Sequence, residues 1–388
     1  MGNPASEARA SGRPPWVDTF MIQLLALLGA LLFAAVVGAI IIASFGENPF
    51  NVYGVLWTFS TSRLSDIGKV LENATPLIFS ALAVAVAFKA GMFNIGVEGQ
   101  YFVAMVTASA VALFVDLPAV LHLPLVVLGA VLGGVIWAAV PAILKVKTGA
   151  HEVVTTIMMN GIAVSLVAWA LLHPLRTAQG GLVDLRSDQF PESALVPRLG
   201  PAFGLEESLP PSVHLTWLFP LALLAALLVW FLLYRTRLGF ETRAVGSAPG
   251  AAEAGGISIG ATQIKVFLIS GALAGFVGLN HLLGDFGFLG ANYETQLGFT
   301  GIAVAFLGRN SPFGIVVASI ALGLLNRGED GLALVTSLPR EIVIILEGLL
   351  ILSVVIAYEI TRRIVLRRRQ REVRAEEGAI EGASSAPA

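Results

Sequence analysis

Residues 235–265, with the sequence RTRLGFETRAVGSAPGAAEAGGISIGATQIK, form a polar stretch between two long apolar segments. The stretch is basic at both ends and has an alanine-rich helical pattern in its middle. Such a loop is too long for a simple turn, and its pattern is not that of a disordered linker. We therefore expect an ordered loop, with a function of its own, between two halves of the chain.

The composition of the chain indicates a membrane protein. Apolar residues make up 56% of the 388 residues and charged residues only 13%, whereas a soluble domain carries about a quarter charged residues. Apolar runs close to the roughly 20 residues that cross a bilayer as a helix recur along the sequence. The expected fold class is an all-α polytopic membrane protein. Because the chain has no cysteine, disulfides, thiolate metal sites and cysteine nucleophiles are excluded.

We expect ten transmembrane helices within a domain at residues 22–361, preceded by a cytoplasmic segment at 1–21. A basic tail at 362–388 follows, and its low apolar content predicts disorder after Arg371. The eighth and ninth spans are short and could be half-helices, which are stable only where protein or a water-filled cavity satisfies their backbone ends. The spans, with approximate bounds, are residues 22–45, 70–88, 98–115, 124–144, 153–172, 213–234, 264–284, 297–307, 312–325 and 342–360.

The distribution of lysine and arginine predicts the orientation. Under the positive-inside rule, both termini and the loop at about 235–263 are expected in the cytoplasm. The segment at 47–69 contains several aromatic residues and could lie in the membrane interface. A longer external loop at about 173–212, rich in proline, glycine and charge, is expected to form an ordered loop or cap.

The sequence FKAGMFNIGVEGQ at 88–100 places three polar side chains, Asn94, Glu98 and Gln100, among glycines at the junction of two spans. In transporters, a polar and glycine-interrupted break of this kind indicates a substrate pathway. The alternative is an ordinary cytoplasmic hairpin in which Glu98 begins a helix, where a carboxylate suits the helix dipole. The spacing alone leaves both interpretations open.

A second polar group lies in GAHEVVTTIMMNG at 149–161, where Asn160 falls inside an apolar run. A buried asparagine either hydrogen-bonds between helices or contacts a ligand, and interhelical bonding is the safer interpretation. His151 and Glu152 resemble the start of a zinc-binding HExxH helix, but Thr155 occupies the position of the second histidine. No metal site is expected.

The third polar group, LNHLLGDFGFLGANYETQLGFT at 279–300, combines aromatic, amide and carboxylate side chains near the expected outer face. Such side chains could stack on and hydrogen-bond a polar ring compound, or form an interfacial aromatic belt and a solvated loop. No P-loop and no GxSxG motif occurs, so neither ATP binding nor catalysis has a candidate. The polar and aromatic residues are Asn280, His281, Asp285, Phe286, Phe288, Asn292, Tyr293, Glu294 and Gln296.

The middle of the opening stretch, GSAPGAAEAGGISI, has the signals of a short helix. Ser247 could cap it, Pro249 suits its first turn, and Gly255 with Gly256 would end it. Such a helix, lying along the membrane, could dock in a groove of a soluble partner; a connector with no partner is the alternative.

Two apolar segments, GAVLGGVIWAAVPAIL and SGALAGFVGLNHLLG, share a small-residue spacing that indicates either an internal repeat, with two pseudo-symmetric halves, or close helix packing.

Three stretches carry a family resemblance: FNIGVEGQ at 93–100, HEVVTTIMMN at 151–160, and AVGSAPGAAEAGGI followed by SGALAGFVG within 244–278. With them the chain resembles the permease subunits of bacterial ABC importers in the branched-chain amino acid/simple-sugar permease superfamily. Within that superfamily it is most similar to the permeases of nucleoside importers that work with a basic-membrane-lipoprotein type binding protein. The resemblance extends from about residue 70 to residue 360.

The resemblance implies a bacterial inner-membrane transporter subunit that is not an enzyme. Its expected partners are an ABC ATPase, a second and non-identical permease, an extracellular substrate-binding lipoprotein, a small neutral solute and the lipid bilayer, but no nucleic acid. The chain itself is expected to bind no cofactor, because ATP and Mg²⁺ are used by the ATPase. A nucleoside is the implied substrate and a simple sugar the alternative; an ion-driven secondary transporter and a membrane enzyme are the rival functions.

The motifs and the resemblance together predict two sets of functional residues. The substrate pathway would include Asn94, Glu98, Gln100, Asn160 and Asn280. The coupling helix, which receives movement from the ATPase, would include Ser247, Pro249, Ala251, Ala252, Glu253, Gly256 and Ile257. Ala248 and Gly255 depart from the family pattern at the two ends of this helix.

Overall fold

The computed structural model describes residues 15–177, 185–336, 338–339 and 341–384. Over these ranges the regular structure is helical, and no β-sheet forms there. Most of the predicted N-terminal segment therefore lies outside the described residues. The α-helices are α1 Pro15–Ser44, α2 Pro49–Thr61, α3 Leu64–Lys89, α4 Val97–Phe114, α5 Ala119–Thr148, α6 Glu152–Leu172, α7 Leu199–Ala202, α8 Leu218–Arg235, α9 Arg237–Ser247, α10 Pro249–Ala254, α11 Ile259–Ala274, α12 Leu297–Leu307, α13 Pro312–Val335 and α14 Glu341–Ser384.

The chain forms two compact units. The smaller contains α1 and α14, which pack against each other, and in it the Tyr53 hydroxyl donates a hydrogen bond of 2.8 Å to the carbonyl oxygen of Ala35. The larger unit, residues 54–335, contains all of the candidate functional residues.

Among the described residues, six helices are long and apolar enough to cross a membrane, and up to seven if the bent pair formed by α1 and α2 counts as one span. Each of the ten predicted segments overlaps an α-helix, but not all are separate full-length spans. The ninth segment is no half-helix, because α13 has 24 residues. The eighth, α12, is a short helix of 11 residues with the predicted bounds.

Two predicted spans extend well beyond the α-helix that the structure shows. The sixth begins at Leu218 rather than 213, because residues 213–216 form an irregular segment that bonds back to the external loop, with the Leu199 N–H donating to the Leu215 carbonyl at 2.8 Å. The seventh does not run to 284: α11 ends at Ala274, and after the glycine-containing stretch that follows it the chain continues as a π-helix, Asn280–Phe286. Such π-helical turns occur frequently at functional sites.

Helix α3 is the centre of the larger unit. It is buried along nearly its whole length, from Asp66 to Ala87, and packs against α8, α11, α12 and α13. The Ser80 hydroxyl donates a hydrogen bond of 2.8 Å to the Leu297 carbonyl, which fixes the start of α12 on α3. Polar side chains can lie on α3 because protein rather than lipid surrounds it.

The two segments with matching small-residue spacing pack directly on each other as α5 and α11. A Cβ atom added to Gly271 would lie 2.6 Å from the carbonyl oxygen of Gly134, and one added to Gly275 would lie 2.8 Å from that of Ala130. The small residues therefore bring the two helix backbones together, as expected where no hydrophobic effect drives association. This contact explains the spacing without a repeat.

Two segments at the ends of spans depart from expectation. The tail is helical as far as Ser384, whereas the sequence predicts disorder after Arg371. Its arginine, glutamate and alanine residues are strong helix formers and extend α14.

The segment at 47–69 does not form one interfacial element, but α2 and the first turn of α3. There Asp66 is buried and accepts a 2.7 Å hydrogen bond from Arg327 on α13.

Candidate functional site

Glu98 joins the first turn of α4 to the N-terminus of α12. Its side chain is 5% exposed. One carboxylate oxygen accepts a hydrogen bond of 2.6 Å from the Gln296 N–H, and the other accepts one of 2.8 Å from the Gly298 N–H. These N–H groups belong to the helix end whose donors have no intrahelical partner and whose dipole attracts an anion. Glu98 therefore caps α12 from a neighbouring helix.

Asn94 and Gln100 form a reciprocal amide pair. Each side-chain NH₂ donates to the other's carbonyl oxygen at 3.0 Å. The Asn94 amide also donates to the Ser270 hydroxyl of α11 at 2.8 Å, and Ser270 donates in turn to the Ala83 carbonyl of α3 at 2.6 Å. All of these side chains are buried, so the network joins α3, α4 and α11.

Asn160 of α6 bonds only to the backbone at the start of α4. Its side-chain oxygen accepts from the Gly99 N–H at 2.9 Å, and its NH₂ donates to the Ile95 carbonyl at 3.1 Å. Asn160 thus satisfies backbone groups next to the N-terminus of a transmembrane helix. This arrangement is the interhelical bonding weighed from the sequence, and it pairs both the oxygen and the nitrogen of the Asn160 side chain with protein.

A cavity near the expected outer face lies elsewhere in the larger unit. It has a volume of about 260 Å³ and is formed mainly by the π-helix and the loop that leads to α12. None of Asn94, Glu98, Gln100 and Asn160 lines it. Its wall includes most of the aromatic and polar residues that the sequence grouped in the third stretch: His281, Phe286, Phe288, Asn292, Tyr293 and Glu294. We call this cavity the outer pocket.

Part of the external loop packs against the segment that forms the outer pocket. The Ser187 N–H donates to the Leu289 carbonyl at 2.8 Å, and the Phe190 N–H donates to the Gly287 carbonyl at 2.7 Å. The guanidinium of Arg186 lies 5.3 Å from the centre of the Phe288 ring, a cation–π contact. Residues 185–198 are thus ordered by backbone pairing against the pocket wall.

The polar groups of the outer pocket are only partly paired. His281 Nε2 contacts the Glu294 carboxylate as an ion pair, and 46% of the Glu294 side chain is exposed. Asn292 is exposed, and Tyr293 packs edge-on against Phe102 with 4.8 Å between ring centres. Burial raises the pKa of Tyr293, and the nearby Glu98 carboxylate raises it further, so the phenol remains a hydrogen-bond donor.

Tyr101 connects the outer pocket with the Glu98 site. Its buried hydroxyl lies 3.1 Å from a Glu98 carboxylate oxygen and 2.9 Å from the Glu294 carbonyl oxygen, and it can donate its one proton to either. The sequence interpretation missed Tyr101, although its position three residues after Glu98 places both on one helix face.

Asn280, in the first turn of the π-helix, accepts from the Thr216 hydroxyl at 3.1 Å, while its buried NH₂ has no hydrogen-bond partner among the described groups.

A further cluster that the sequence interpretation missed joins Glu72 of α3, His214 and Asp285, whose ligand-type atoms lie within 4.8 Å of one another. This set of side chains could hold a cation. However, Lys69 Nζ lies 2.9 Å from one Glu72 oxygen, and the backbone N–H of His214 donates to the other at 2.7 Å. These contacts favour an ion-pair network. Burial lowers the pKa of His214, against the opposing effects of the two carboxylates.

The predicted coupling helix is present as α10, six residues long. Pro249 is in its first turn as expected, but Ser247 does not cap it: Ser247 is the last residue of α9, and its hydroxyl donates to the Ala244 carbonyl at 3.3 Å. Ala248, with no side-chain acceptor, occupies the cap position, because α9 extends up to the proline.

The other end of α10 has a Schellman motif. The Ile257 N–H donates to the Ala252 carbonyl at 3.0 Å and the Gly256 N–H to the Glu253 carbonyl at 2.9 Å. Gly256 has a φ of 80°, a conformation that favours glycine. The predicted helix end is thus confirmed, and Gly255 lies at its C-cap.

A groove of about 650 Å³ runs along α9 and α10, and its wall contains Ser247, Ala251, Ala252, Gly256 and Ile257 together with the charged residues Arg237, Glu241 and Lys265. Five of the seven predicted coupling residues therefore line one surface. Of the two central alanines, Ala251 is exposed and Ala252 is 5% exposed, so only the former can meet a partner.

The model of the family described as "Branched-chain amino acid transport system / permease component" matches residues 66–355 of this chain, well over half of its length. The chain belongs to this permease family. It is accordingly a multi-pass membrane protein and an ABC transporter permease component, not itself a catalytic subunit. The resemblance inferred from the three motifs is confirmed.

Three relatives illustrate the range of this permease family. A guanosine ABC transporter permease of Bacillus subtilis is 37% identical, with 87% of this chain and 94% of the relative aligned. A nucleoside ABC transporter permease of Lactococcus lactis is 33% identical, covering 87% and 92%, and a glucose ABC transporter permease of Haloferax volcanii is also 33% identical, covering 88% of each. No solved structure matches the chain significantly.

Proposed function

We propose that this chain is the permease of an ATP-driven importer of nucleosides and that the outer pocket is where substrate enters. The observation that carries the proposal is the composition of the pocket wall: aromatic rings beside an exposed carboxylate, an amide and a histidine. Two of the relatives described above are named as permeases for guanosine and for nucleosides.

The chemistry of a nucleoside fits this wall. Aromatic rings such as Phe286 and Phe288 offer faces for a planar base, and the exposed Glu294 carboxylate can accept hydrogen bonds from ribose hydroxyls. The cavity volume of about 260 Å³ lies just below the roughly 300–1,000 Å³ typical of ligand pockets. A small, neutral ring compound is therefore the substrate class we expect.

A simple sugar is the second candidate. The 33% identical glucose permease of Haloferax volcanii favours it, because a sugar ring also packs on aromatic faces and hydrogen-bonds carboxylates. A sugar has no planar base, however, and would use only part of the aromatic wall. Competition between the two substrate classes distinguishes them.

The importer as a whole would contain an ABC ATPase docked on the groove along α9 and α10, a second permease and an external binding lipoprotein that delivers substrate to the outer face. Both termini would be cytoplasmic and the membrane would be the bacterial inner membrane. Transport would follow alternating access, in which ATP changes the relative stability of two states with different substrate affinity.

The substrate assignment is tested by uptake into proteoliposomes that contain this permease with its ATPase, second permease and binding protein. We expect ATP-dependent uptake of radiolabelled guanosine, unaffected by excess glucose and abolished by excess adenosine or inosine. Uptake blocked by glucose would instead assign a sugar permease, and uptake driven by an ion gradient without ATP would overturn the ABC mechanism for this chain.

The docking site is tested at Ala251. An Ala251→Asp substitution places a charge in the groove, and we expect loss of substrate-stimulated ATP hydrolysis while the protein still inserts. Gly250→Ala is the matched control, because a Cβ atom there meets nothing within 4 Å. Normal coupling in Ala251→Asp would remove the groove from the mechanism.

A further inference from the structure

We infer that Glu98 is a positioning residue that links the cytoplasmic coupling segment to the wall of the outer pocket. The inference rests on the proposed function, since it assigns how movement at the groove would reach the substrate. It is carried by a continuous series of close contacts within the larger unit, each of which joins two different elements.

The first contact joins α9 to the end of α3. A Cβ atom added to Gly246, one residue before the end of α9, would overlap the carbonyl oxygen of Lys89 and lie 3.0 Å from the backbone nitrogen of Gly91. Backbone therefore packs on backbone here, with no flexible side chain between. A displacement of α9 must displace the turn at 89–91 as well, because interiors at this density transmit strain.

The second contact joins that turn to the first turn of α4. The segment from Gly91 leads within a few residues to Asn94, which bonds to Gln100, to the Gly96 N–H at 3.0 Å and to Ser270. Asn160 holds the backbone of Gly99 in the same turn. These buried hydrogen bonds fix the position of Glu98 relative to the turn.

The third contact joins Glu98 to the pocket wall. Its carboxylate receives the Gln296 and Gly298 N–H groups, and its neighbour Tyr101 reaches the backbone of Glu294, whose side chain pairs with His281 inside the pocket. A Cβ atom added to Gly298 would lie 2.5 Å from the Glu98 nitrogen, so α12 begins directly against α4. The loop at 292–296, which forms one wall, thus ends on Glu98.

A purely structural cap would stabilise α12 without linking it to the ATPase. The inference requires more: the conformation of the 292–296 loop should depend on the state of the ATPase, and this dependence should need the Glu98 carboxylate. Replacing the carboxylate by an amide presents an NH₂ group to one of two N–H donors, so Glu98→Gln loses one of the two bonds. Glu98→Asp keeps the charge at a shorter reach.

The test uses the absence of cysteine in the chain. Asn292→Cys places a single thiol on the exposed side of the pocket wall, and the assembled importer in proteoliposomes is treated from outside with a membrane-impermeant maleimide. The labelling rate of this chain is measured without nucleotide and with ATP and vanadate. The same measurement is made in Glu98→Gln and Glu98→Asp. It is also made in Gly298→Ala, which displaces α12 but keeps the carboxylate, and in Asp116→Asn, an exposed control beyond the other end of α4.

We expect a several-fold change of labelling rate with nucleotide in the parent and in Asp116→Asn, its loss in Glu98→Gln and Gly298→Ala, and partial recovery in Glu98→Asp. The same nucleotide-dependent change in all variants would overturn the inference, as would the absence of any change in the parent. Guanosine uptake by the unsubstituted protein, which keeps Asn292, is measured in parallel, so that failure of the proposed function is recognised separately. Co-purification of the ATPase verifies assembly, and if Glu98→Gln does not assemble, Glu98→Asp decides: a nucleotide-dependent change equal to that of the parent would overturn the inference.

Discussion

The polar groups around the start of α4 and those of the outer pocket have the same chemistry but differ in their hydrogen bonding. Around α4, the amides of Asn94 and Asn160 bond to protein at both their oxygen and their nitrogen. In the outer pocket, Glu294 is nearly half exposed and Asn292 faces the cavity. The first set holds helices together, whereas the second has hydrogen-bonding capacity left for a ligand.

This difference changes the meaning of the motifs. A glycine-interrupted polar break marks a transport pathway only if its polar groups are free, and the groups at 94–100 are occupied by backbone and by Ser270. Their contribution to transport would be indirect, through the position of α12. Substitutions should therefore separate the two regions, with losses of substrate affinity at the pocket and losses of stability or of coupling to the ATPase at the start of α4.

The largest effect is expected at Glu294. Glu294→Gln removes the charge that pairs with His281 and that we assign to the substrate hydroxyls. Losing a charged hydrogen bond costs about 1.5–3 kcal/mol, so uptake at subsaturating guanosine should fall about 10- to 100-fold. The melting temperature should stay unchanged, and Asp116→Asn should behave as the parent. Unimpaired uptake would show that the pocket is not on the pathway.

The opposite result is expected at Asn160. Asn160→Ala leaves the Gly99 N–H and the Ile95 carbonyl without their partner, and each buried unpaired group costs about 1–3 kcal/mol. We expect the melting temperature in detergent to fall by several degrees, with the apparent affinity for substrate unchanged in the protein that remains folded. Ser165→Ala, on the exposed side of the same helix, serves as the control. A selective loss of substrate affinity would make Asn160 a ligand contact after all.

Asn280 is intermediate between the two regions, since it is buried but bonded only through its oxygen. Asn280→Ala removes one neutral hydrogen bond, worth about 0.5–1.5 kcal/mol, together with an unpaired NH₂ group. Its effect on the melting temperature should be smaller than that of Asn160→Ala. An equal or larger loss would mean that its NH₂ group has a partner in the folded protein.

The smallest effect concerns pH at the His214 cluster. Burial lowers the pKa of His214 below its ordinary value of 6.5, so folding favours the neutral imidazole. This contribution to stability is fully present above the pKa of the unfolded chain and is lost as the pH falls through the lowered folded value. We expect a small decrease of the melting temperature on acidification, and a smaller one in His214→Gln. Greater acid sensitivity in His214→Gln would contradict the sign.

The sequence predicted the membrane fold and the short helix α12, because long apolar runs and their ends are local features. It also predicted the end of α10, since the Schellman motif needs a glycine in the position of Gly256. It assigned the cap of that helix wrongly, because it did not foresee that α9 extends through Ser247. The grouping of the aromatic and polar residues of the outer pocket was found because they are close in sequence.

The contacts of Glu98 could not be predicted in this way. Its partners Gln296 and Gly298 lie about 200 positions further along the chain, and both bond to Glu98 through the backbone N–H, which no side chain marks in the sequence. Ser270, Thr216 and His214 were missed for the same reason. Each bonds to a residue that is distant in the sequence, and only the packing of α3, α8 and α11 brings the two residues together.

The burial of α3 has a consequence for biosynthesis. This helix is made early, but the elements that cover it, α8, α11, α12 and α13, all begin at Leu218 or later in the chain and so emerge from the ribosome much later. Until then Asp66, Lys69 and Glu72 face lipid or the translocon without Arg327 and His214. Chains truncated before α12 should therefore be recognised as unassembled and degraded, and the last third of the gene decides whether the first third stays in the membrane.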